Sequence, residues 1–180
     1  MSTDFDGAID RGEPNLRQVS GIAEPGRRTT ATVHDVAAYI LAEHGPMSVL
    51  KLQRLCYFAY GYHLAWEHQR LFEEPFEAWA NGPVVRELYR QHRGRFQLNI
   101  GDIEGSVAAL DNGERDSVDI VLETFAPYPT HELSAMSHQT TGPWQHARDR
   151  AGAADLERSD EVLLDEEIAH YFDALSDRAG

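Results

Sequence analysis

Histidines are the residues of this chain with the widest chemical range, and they first raise the question of a metal site. The zinc-protease pattern His-Glu-x-x-His, which places two ligands and a base on one helix face, does not occur. His63 and His68 are five residues apart in a predicted helix, so they face different sides of it. His138 and His146 come from segments that a fold can bring together. A metal site, or a hydrolase or transferase that uses His138, therefore stays open beside surface or capping roles.

Nucleophilic catalysis has little support in the sequence. The chain lacks the Gly-x-Ser-x-Gly turn of serine hydrolases and both glycine-rich phosphate-binding motifs. Its one cysteine, Cys56, lies in the most apolar segment, where an inert core thiol is expected rather than a nucleophile. The adjacent acids at 73–74 and 165–167 fall in a predicted loop and at a predicted helix start. We therefore predict no catalytic, cofactor-binding or metal-binding residue, and a protein that is not an enzyme.

The stretch EAWANGPVVRELY (77–89) is the most distinctive local signal. Asn81-Gly82 permits a positive φ, and Pro83 suits the first position of a helix. We predict a rigid corner followed by a helix, with Asn81 either capping that helix or contacting a partner. The apolar face of the helix would consist of Val84, Val85, Leu88 and Tyr89.

Charge and composition limit the classes of partner. The formal net charge is −14, with 30 acidic against 16 basic residues, which disfavours binding to nucleic acid or anionic lipid. No apolar run is long enough to span a membrane, and the acidic N-terminus lacks the apolar segment of a secretory signal. A single cysteine excludes an internal disulfide framework. These features predict a cytoplasmic protein, in which Lys51 is the one lysine beside 15 arginines.

Hydrophobic periodicity predicts a mainly α fold: a single compact helical domain with a small β-hairpin and a disordered N-terminal tail. Residues 1–31 combine glycine, proline and charge without an apolar face, so they form the predicted tail, and 32–176 form the domain. Thr32 would cap the first helix, 33–44, which ends at a Gly-Pro pair. The segment 48–68 starts at a second cap and is apolar on more than one face, which predicts the central, most buried helix.

The remaining segments predict one hairpin and several shorter helices. Residues 70–80 lack helical periodicity and place Phe76 and Ala78 opposite Glu77 and Trp79, which predicts a short β segment in a small hairpin. Residues 96–113 should be mostly irregular. Further helices are predicted at 115–126, at 130–139 with Thr130 as cap, from Gly142-Pro143, and at the end of the chain with Asp165 as cap.

Four blocks of sequence resemble one known family in their order and content. They are KLQRLCYFAYGYHLAW (51–66), LFEEPFEAWANGPVVRELY (71–89), LSAMSHQTTGPWQHAR (133–148) and IAHYF (168–172). Together they are similar to the Panacea domain of SocA-like antitoxins and phage-associated GepA-like proteins, over roughly residues 33–173. Three features depart from the family pattern: Arg54 stands where a second lysine is common, two extra residues in SHQTTGPW (137–144) lengthen a loop, and the N-terminal tail lies outside the domain.

The resemblance implies a mostly helical antitoxin with no catalytic activity. Such a protein would neutralise a cognate toxin, encoded by a neighbouring gene, through direct protein–protein binding, and it could deliver the toxin to a AAA+ protease. Neither a cofactor nor a membrane partner is implied, and self-association stays open. An antitoxin that also represses its operon by binding DNA is a weaker alternative, because the one basic stripe, the arginines at 86–95, is short.

The resemblance also selects ten candidate partner-binding residues. They are Lys51, Tyr57, Trp79, Asn81, Gly82, Pro83, Val84, Tyr89, His138 and Trp144. A purely structural role is the alternative at these positions: the aromatic residues would belong to the core, Gly82 and Pro83 would set the chain direction, and His138 would hold a loop by hydrogen bonds. Lys51 has the weakest structural role, since an ammonium on an apolar helix must reach water or an acceptor.

Overall fold

In the computed structural model, which describes residues 31–179, a 19-residue helix (α2, Val49–Glu67) forms the centre of the molecule. Around it the described residues form six further α-helices: α1 (Val33–His44), α3 (Arg86–His92), α4 (Asn112–Phe125), α5 (Thr130–Ser137), α6 (Pro143–Ala151) and α7 (Asp165–Ala179). Four short strands complete the fold: β1 (Met47–Ser48), β2 (Phe76–Trp79), β3 (Gly82–Val85) and β4 (Gln97–Leu98). The predicted mainly α class is confirmed. The predicted tail falls, apart from Ala31, outside the described residues.

Helix α2 is central because its apolar residues surround its axis instead of forming one stripe. The Ser48 hydroxyl caps it by accepting a hydrogen bond of 3.1 Å from the Lys51 N–H. Its main neighbours are α7 and α4. Gly61 allows α7 to come close, since a Cβ on this residue would lie 2.6 Å from Cζ of Phe172. The predicted central helix is confirmed.

An aromatic cluster fills the space between α2, α4, α7 and the hairpin. The Phe172 ring meets Tyr57 edge-on at 5.4 Å between centroids, and Phe58 stacks on Phe125 at 4.7 Å. Phe76 of β2 also meets Tyr57 edge-on, at 5.4 Å. Each buried side chain of this size contributes about 1.5–3 kcal/mol, so the cluster ties the hairpin to the helices. In the described part of the chain, no helix combines the length and the apolar character needed to cross a membrane.

Helix α1 begins at a capping box. The Thr32 hydroxyl accepts from the Asp35 N–H at 3.2 Å, and the Asp35 carboxylate accepts from the Thr32 N–H at 2.9 Å. Gly45 ends the helix with a φ of 100°, and its N–H donates to the Leu41 carbonyl. Both predicted ends of this helix are confirmed.

Strands β2 and β3 form an antiparallel hairpin with Ala80 and Asn81 at its turn. Trp79 faces Gly82, and Phe76 faces Val85. The second edge of β2 is also paired, because the Ala78 N–H donates to the Glu161 carbonyl and the Leu163 N–H donates to the Phe76 carbonyl. Among the described residues, no strand lies beside the outer edge of β3, and the side chains that bond to this edge belong to the candidate site.

Several predicted helix starts are wrong in detail. Gly82 and Pro83 belong to β3, and the following helix starts only at Arg86, with Val85 at the cap position, so Asn81 does not cap it. A proline fits this strand because the pairing with β2 requires no N–H from it. Pro129, not Thr130, precedes α5, and Asp165 is the first helical residue of α7.

Candidate functional site

A set of side chains from α2, α5 and α6 holds the β2–β3 hairpin by its backbone polar groups. These side chains are Gln53, Arg54, His138, Trp144 and Arg148, and we call them the hairpin clamp. They belong to the first and third blocks of the family resemblance, whereas the hairpin belongs to the second block. The three blocks therefore meet in one structural unit.

Arg54 lies beneath the turn of the hairpin. One guanidinium nitrogen, Nη1, donates to the Pro83 carbonyl at 2.7 Å, and the other, Nη2, donates to the Asn81 carbonyl. Gly82, between these two acceptors, has a φ of 129°, a conformation that favours glycine. A Cβ at Gly82 would lie 2.5 Å from Cζ of Arg54, so the guanidinium occupies the space that any other residue would fill.

The Arg54 charge is unusual in its surroundings. The residue has no exposed surface, and no carboxylate among the described residues forms an ion pair with it. Its charge is therefore stabilised mainly by two backbone carbonyl dipoles, while Nε has no hydrogen-bond partner. Burial lowers the pKa of Arg54 to about 10, so the guanidinium remains charged at neutral pH.

Gln53 takes the place of a neighbouring strand along the outer edge of β3. Its Oε1 accepts from the Val85 N–H at 3.0 Å, and its Nε2 donates to the Val85 carbonyl at 3.3 Å. Since a backbone N–H can bond only to the amide oxygen, the orientation of the amide is fixed. Nε2 also donates to Nε2 of His92 at 3.0 Å, so this imidazole must be neutral, with its proton on Nδ1. Burial lowers the pKa of His92, in agreement with a neutral ring.

Helix α6 holds the other side of the hairpin. The Trp144 indole Nε1 donates to the Trp79 carbonyl at 2.8 Å, and the buried Arg148 donates to the Ala78 carbonyl at 2.9 Å. Arg148 also donates to the carbonyls of Ala154 and Glu157, at 2.7 and 2.8 Å. It thus connects the hairpin to the irregular segment that follows α6.

His138 completes the clamp at the turn. Its ring stacks on Trp144, with 4.2 Å between centroids, and its Nε2 lies 3.1 Å from the Asn81 carbonyl. A carbonyl can only accept, so Nε2 carries the proton. Burial lowers the pKa of His138, and the positive charges of Arg54 and Arg148 also lower it. The hydrogen bond to the Asn81 carbonyl acts in the opposite direction and raises this pKa.

A groove of about 620 Å³ opens beside the hairpin, and we call it the arginine groove. Its walls come from the first turns of α2, helix α3 with residues 93–95, the hairpin turn and the segment 156–160. Among the residues that line it are five arginines but a single acid, Asp160. The arginines are Arg54, Arg86, Arg93, Arg95 and Arg158. On a chain with a net charge of −14, this groove is a local positive surface.

One wall of the groove is a packed polar and aromatic unit. Glu77 accepts from Arg86 at 2.8 Å and from the Trp79 indole N–H at 2.8 Å. The Arg86 guanidinium lies 5.4 Å from the centre of the Trp79 ring, and Tyr89 meets that ring edge-on at 4.8 Å. These contacts fix the side chains of Arg86, Trp79 and Tyr89 before any partner binds.

The ten predicted residues fall into three groups. Trp79, Asn81, Val84 and Tyr89 line the arginine groove, whereas His138 lies with Asn81 and Leu50 in a more open depression beside it. A buried group holds the hairpin or the core: Tyr57, Gly82, Pro83 and Trp144. Lys51 is separate, since its Nζ donates to the Ala126 carbonyl at 2.6 Å, at the C-terminal end of α4.

Sequence reasoning missed the arginines that matter most here. In the sequence, Arg54 stands out only as a departure from the family pattern, and Arg148 only as part of a block. Arg93 belongs to the basic stripe at 86–95, and no pattern indicates a role for Arg158. No local signal identifies Arg54 or Arg148, because each donates to carbonyl groups in another segment of the chain.

His138 and His146, the two histidines considered together for a metal site, each have a hydrogen-bonding or ionic partner among the described residues. His138 bonds to the Asn81 carbonyl, and Nδ1 of His146 pairs with Glu167 at 2.6 Å. Across residues 31–179, no group of three or more histidine, cysteine or acidic side chains could hold a metal ion. Cys56 is fully buried, and burial raises the pKa of its thiol, as expected for an inert core residue.

Comparisons with known proteins agree with the resemblance in the sequence. The model of the family "Antitoxin SocA-like, Panacea domain" matches residues 52–145, which include most of α2, the hairpin, α3 and the clamp residues up to Trp144. Antitoxin SocA of Caulobacter vibrioides (strain NA1000 / CB15N) is 33% identical over 110 residues, which is 55% of this chain and 58% of the relative. The chain thus matches less than two thirds of that relative's length. No solved structure matches. The chain belongs to the SocA-like antitoxin family with a Panacea domain.

Proposed function

We propose that this protein is the antitoxin of a toxin–antitoxin pair, acts in the cytoplasm, and neutralises its toxin by direct protein–protein binding. Family membership supports the antitoxin role. The observation that carries the binding mechanism is the hairpin clamp, in which the family-like blocks combine to hold one hairpin beside one groove. Neutralisation by occupancy requires a shaped surface and no turnover.

The clamp supports binding because it fixes the surface in advance. The carbonyls of four hairpin residues, Ala78, Trp79, Asn81 and Pro83, are all bonded to clamp side chains. A surface that is already ordered loses less conformational freedom when a partner binds, which favours affinity. We propose that the toxin contacts the candidates that line the arginine groove and the depression beside it, whereas Tyr57, Gly82, Pro83 and Trp144 act only by holding the surface in place.

Co-expression tests the proposed function directly. Each reading frame that flanks the gene would be expressed from an inducible promoter, with and without this protein, and growth would be measured. We expect one flanking product to stop growth, growth to recover when this protein is present, and the two to co-purify. If no flanking product is toxic, or if a toxic one is neither neutralised nor bound, the proposal is refuted.

A matched pair of substitutions relates neutralisation to the proposed surface. Trp79→Ala removes an aromatic group from the groove wall, and Ile120→Ala removes an apolar side chain, 49% exposed, from α4 outside the groove. We expect the first change to weaken toxin binding and the second to leave it unchanged. Equal binding by both variants would show that the toxin uses another surface.

The same cells distinguish occupancy from delivery to a protease. If the protein only covers its toxin, the toxin's half-life in rescued cells is unchanged or longer. If the protein is also an adaptor for a AAA+ protease, the toxin disappears faster, and rescue is lost in cells without that protease.

A further inference from the structure

We propose that the arginine groove binds an acidic segment of the toxin, in which at least one carboxylate lies next to an apolar side chain. This inference rests on the proposed antitoxin function and specifies the chemistry that the partner must present. It follows from the charge, ion pairing and exposure of the groove residues.

The first step concerns ion pairing in the groove. Arg86 is paired with Glu77, and Arg95 with Asp102 at 3.1 Å, so these two charges are largely compensated. Arg93 and Arg158 are exposed, and no acidic residue between positions 31 and 179 pairs with either of them. The groove therefore has two guanidinium groups that are available to an incoming carboxylate.

The second step concerns the charge beneath the groove. Within residues 31–179, Arg54 is buried, bonds only to carbonyls, and has an Nε without a partner. Water screens a buried charge less than an exposed one, so its positive potential persists in the groove. The binding surface is thus electropositive although the chain as a whole is strongly acidic.

The third step concerns the apolar residues beside these charges. Leu50 is 42% exposed and Leu156 is 79% exposed, and both line the groove. Leu156 has a φ of 63°, which is uncommon for leucine, in the segment that Arg148 holds by its carbonyls. A partner with an apolar side chain next to its carboxylate would bury these leucines as well as pair with the arginines.

A protein segment fits these features better than nucleic acid does. Phosphate polymers require a row of several basic contacts, whereas this groove offers two uncompensated exposed arginines on an acidic molecule. The exposed leucines also favour a polypeptide as the ligand, since an apolar side chain cannot form a hydrogen bond or an ion pair with a phosphate. Charge complementarity therefore selects an acidic and apolar segment of the toxin.

Charge reversal tests this assignment. The variant R93E/R158E changes two exposed residues without ion pairs, so its melting temperature should remain close to that of the unchanged protein. The control R115E reverses an exposed arginine on α4, outside the groove. We expect the affinity for the purified toxin to fall roughly a hundredfold for R93E/R158E, because like charges then face each other, and to change little for R115E.

Two further measurements make the test specific. Raising the salt from about 50 to 200 mM should weaken toxin binding by the unchanged protein more than binding by R93E/R158E. Replacing the toxin's own acidic residues with arginine, one at a time, should identify a toxin variant that R93E/R158E binds better than the unchanged protein does.

The outcomes separate this inference from the proposed function. If the toxin is neutralised but R93E/R158E binds it as tightly as the unchanged protein, the inference is wrong and the antitoxin function stands. R115E reverses one charge and R93E/R158E two, so a loss of binding free energy for R115E about half that for R93E/R158E would mean a general charge effect and would also overturn it. Binding of a fluorescent duplex DNA or tRNA that disappears in R93E/R158E would assign the groove to phosphate instead. If no toxin is neutralised, both proposals fail together.

Discussion

The substitution Gly82→Ala tests the hairpin clamp through a single methyl group. Two costs follow from the structure. Gly82 has a φ of 129°, and holding an alanine in such a sparsely populated conformation costs about 1–3 kcal/mol. The new Cβ would also lie 2.5 Å from Cζ of Arg54, so the guanidinium must move away from its two carbonyl acceptors.

Movement of Arg54 gives the larger cost. A hydrogen bond from a charged donor is worth about 1.5–3 kcal/mol, and at least one of the two bonds must break. The total destabilisation is therefore at least about 2.5 kcal/mol, which for a domain of this size lowers the melting temperature by at least about 5 °C. Thermal unfolding followed by circular dichroism would measure it.

Two other glycines provide matched controls. Gly101 also has a positive φ, 90°, but no atom lies within 4 Å of its Cβ position, so Gly101→Ala should show the conformational cost alone, about 1 kcal/mol. Gly113, in the first turn of α4, has only one contact at 3.6 Å, and Gly113→Ala should be neutral or slightly stabilising. A Gly82→Ala protein that melts like Gly101→Ala would refute the role of Arg54.

A double-mutant cycle separates the two costs at Gly82 itself. Once Arg54→Ala has removed the guanidinium, Gly82→Ala should cost only about the 1–3 kcal/mol of its backbone conformation. If the full cost remains when Arg54 is absent, the clash between the two residues does not determine the stability of the turn.

Three more predictions follow from the described contacts. Burial lowers the pKa of His92, so below about pH 6.5 the unfolded chain binds a proton that the folded chain resists. The free energy of unfolding should therefore be highest above this pH and fall on acidification. The fall should be smaller in His92→Gln, as melting curves at several pH values would show. Lys51→Met should lower the free energy of unfolding, measured in urea, by about 2 kcal/mol, because the hydrogen bond to the Ala126 carbonyl is lost. An unchanged free energy would mean that the Lys51 ammonium is solvated or available to the partner. Deleting residues 1–30 should leave the melting temperature unchanged, since α1 has its own capping box at Thr32, and a lower value would place the domain boundary earlier.

The helices could be predicted where one local signal determined them. Thr32 with Asp35 specified the start of α1, and the apolar residues around the axis of α2 specified its central position. These signals act over a few residues and therefore survive in the sequence alone. The candidate surface was predicted in part for the same reason, since the corner that contains Asn81 and Gly82 has local turn chemistry.

Two Gly-Pro pairs show why the rest could not be predicted. Gly142-Pro143 starts α6 with proline at its first position, as expected, whereas Gly82-Pro83 begins a strand. The difference lies in the tertiary partners of Gly82-Pro83: Ala78 faces Pro83 across the hairpin, and the Arg54 guanidinium donates to the Pro83 carbonyl. Tertiary contacts of this kind override local propensity, and they also account for the failure to identify Arg54.

The way in which Arg148 holds the segment after α6 has a consequence for how this protein can diversify. Arg148 donates to the backbone carbonyls of residues 154 and 157, and any amino acid at these positions would provide such a carbonyl. These hydrogen bonds do not involve the exposed side chains of Leu156 and Arg158. Mutations at those two positions can therefore alter the shape and charge presented outward while the backbone stays anchored. Such a loop can change its outward surface by single substitutions, at Leu156 to unbranched side chains that tolerate its φ of 63°, without a loss of stability that a second mutation must repair.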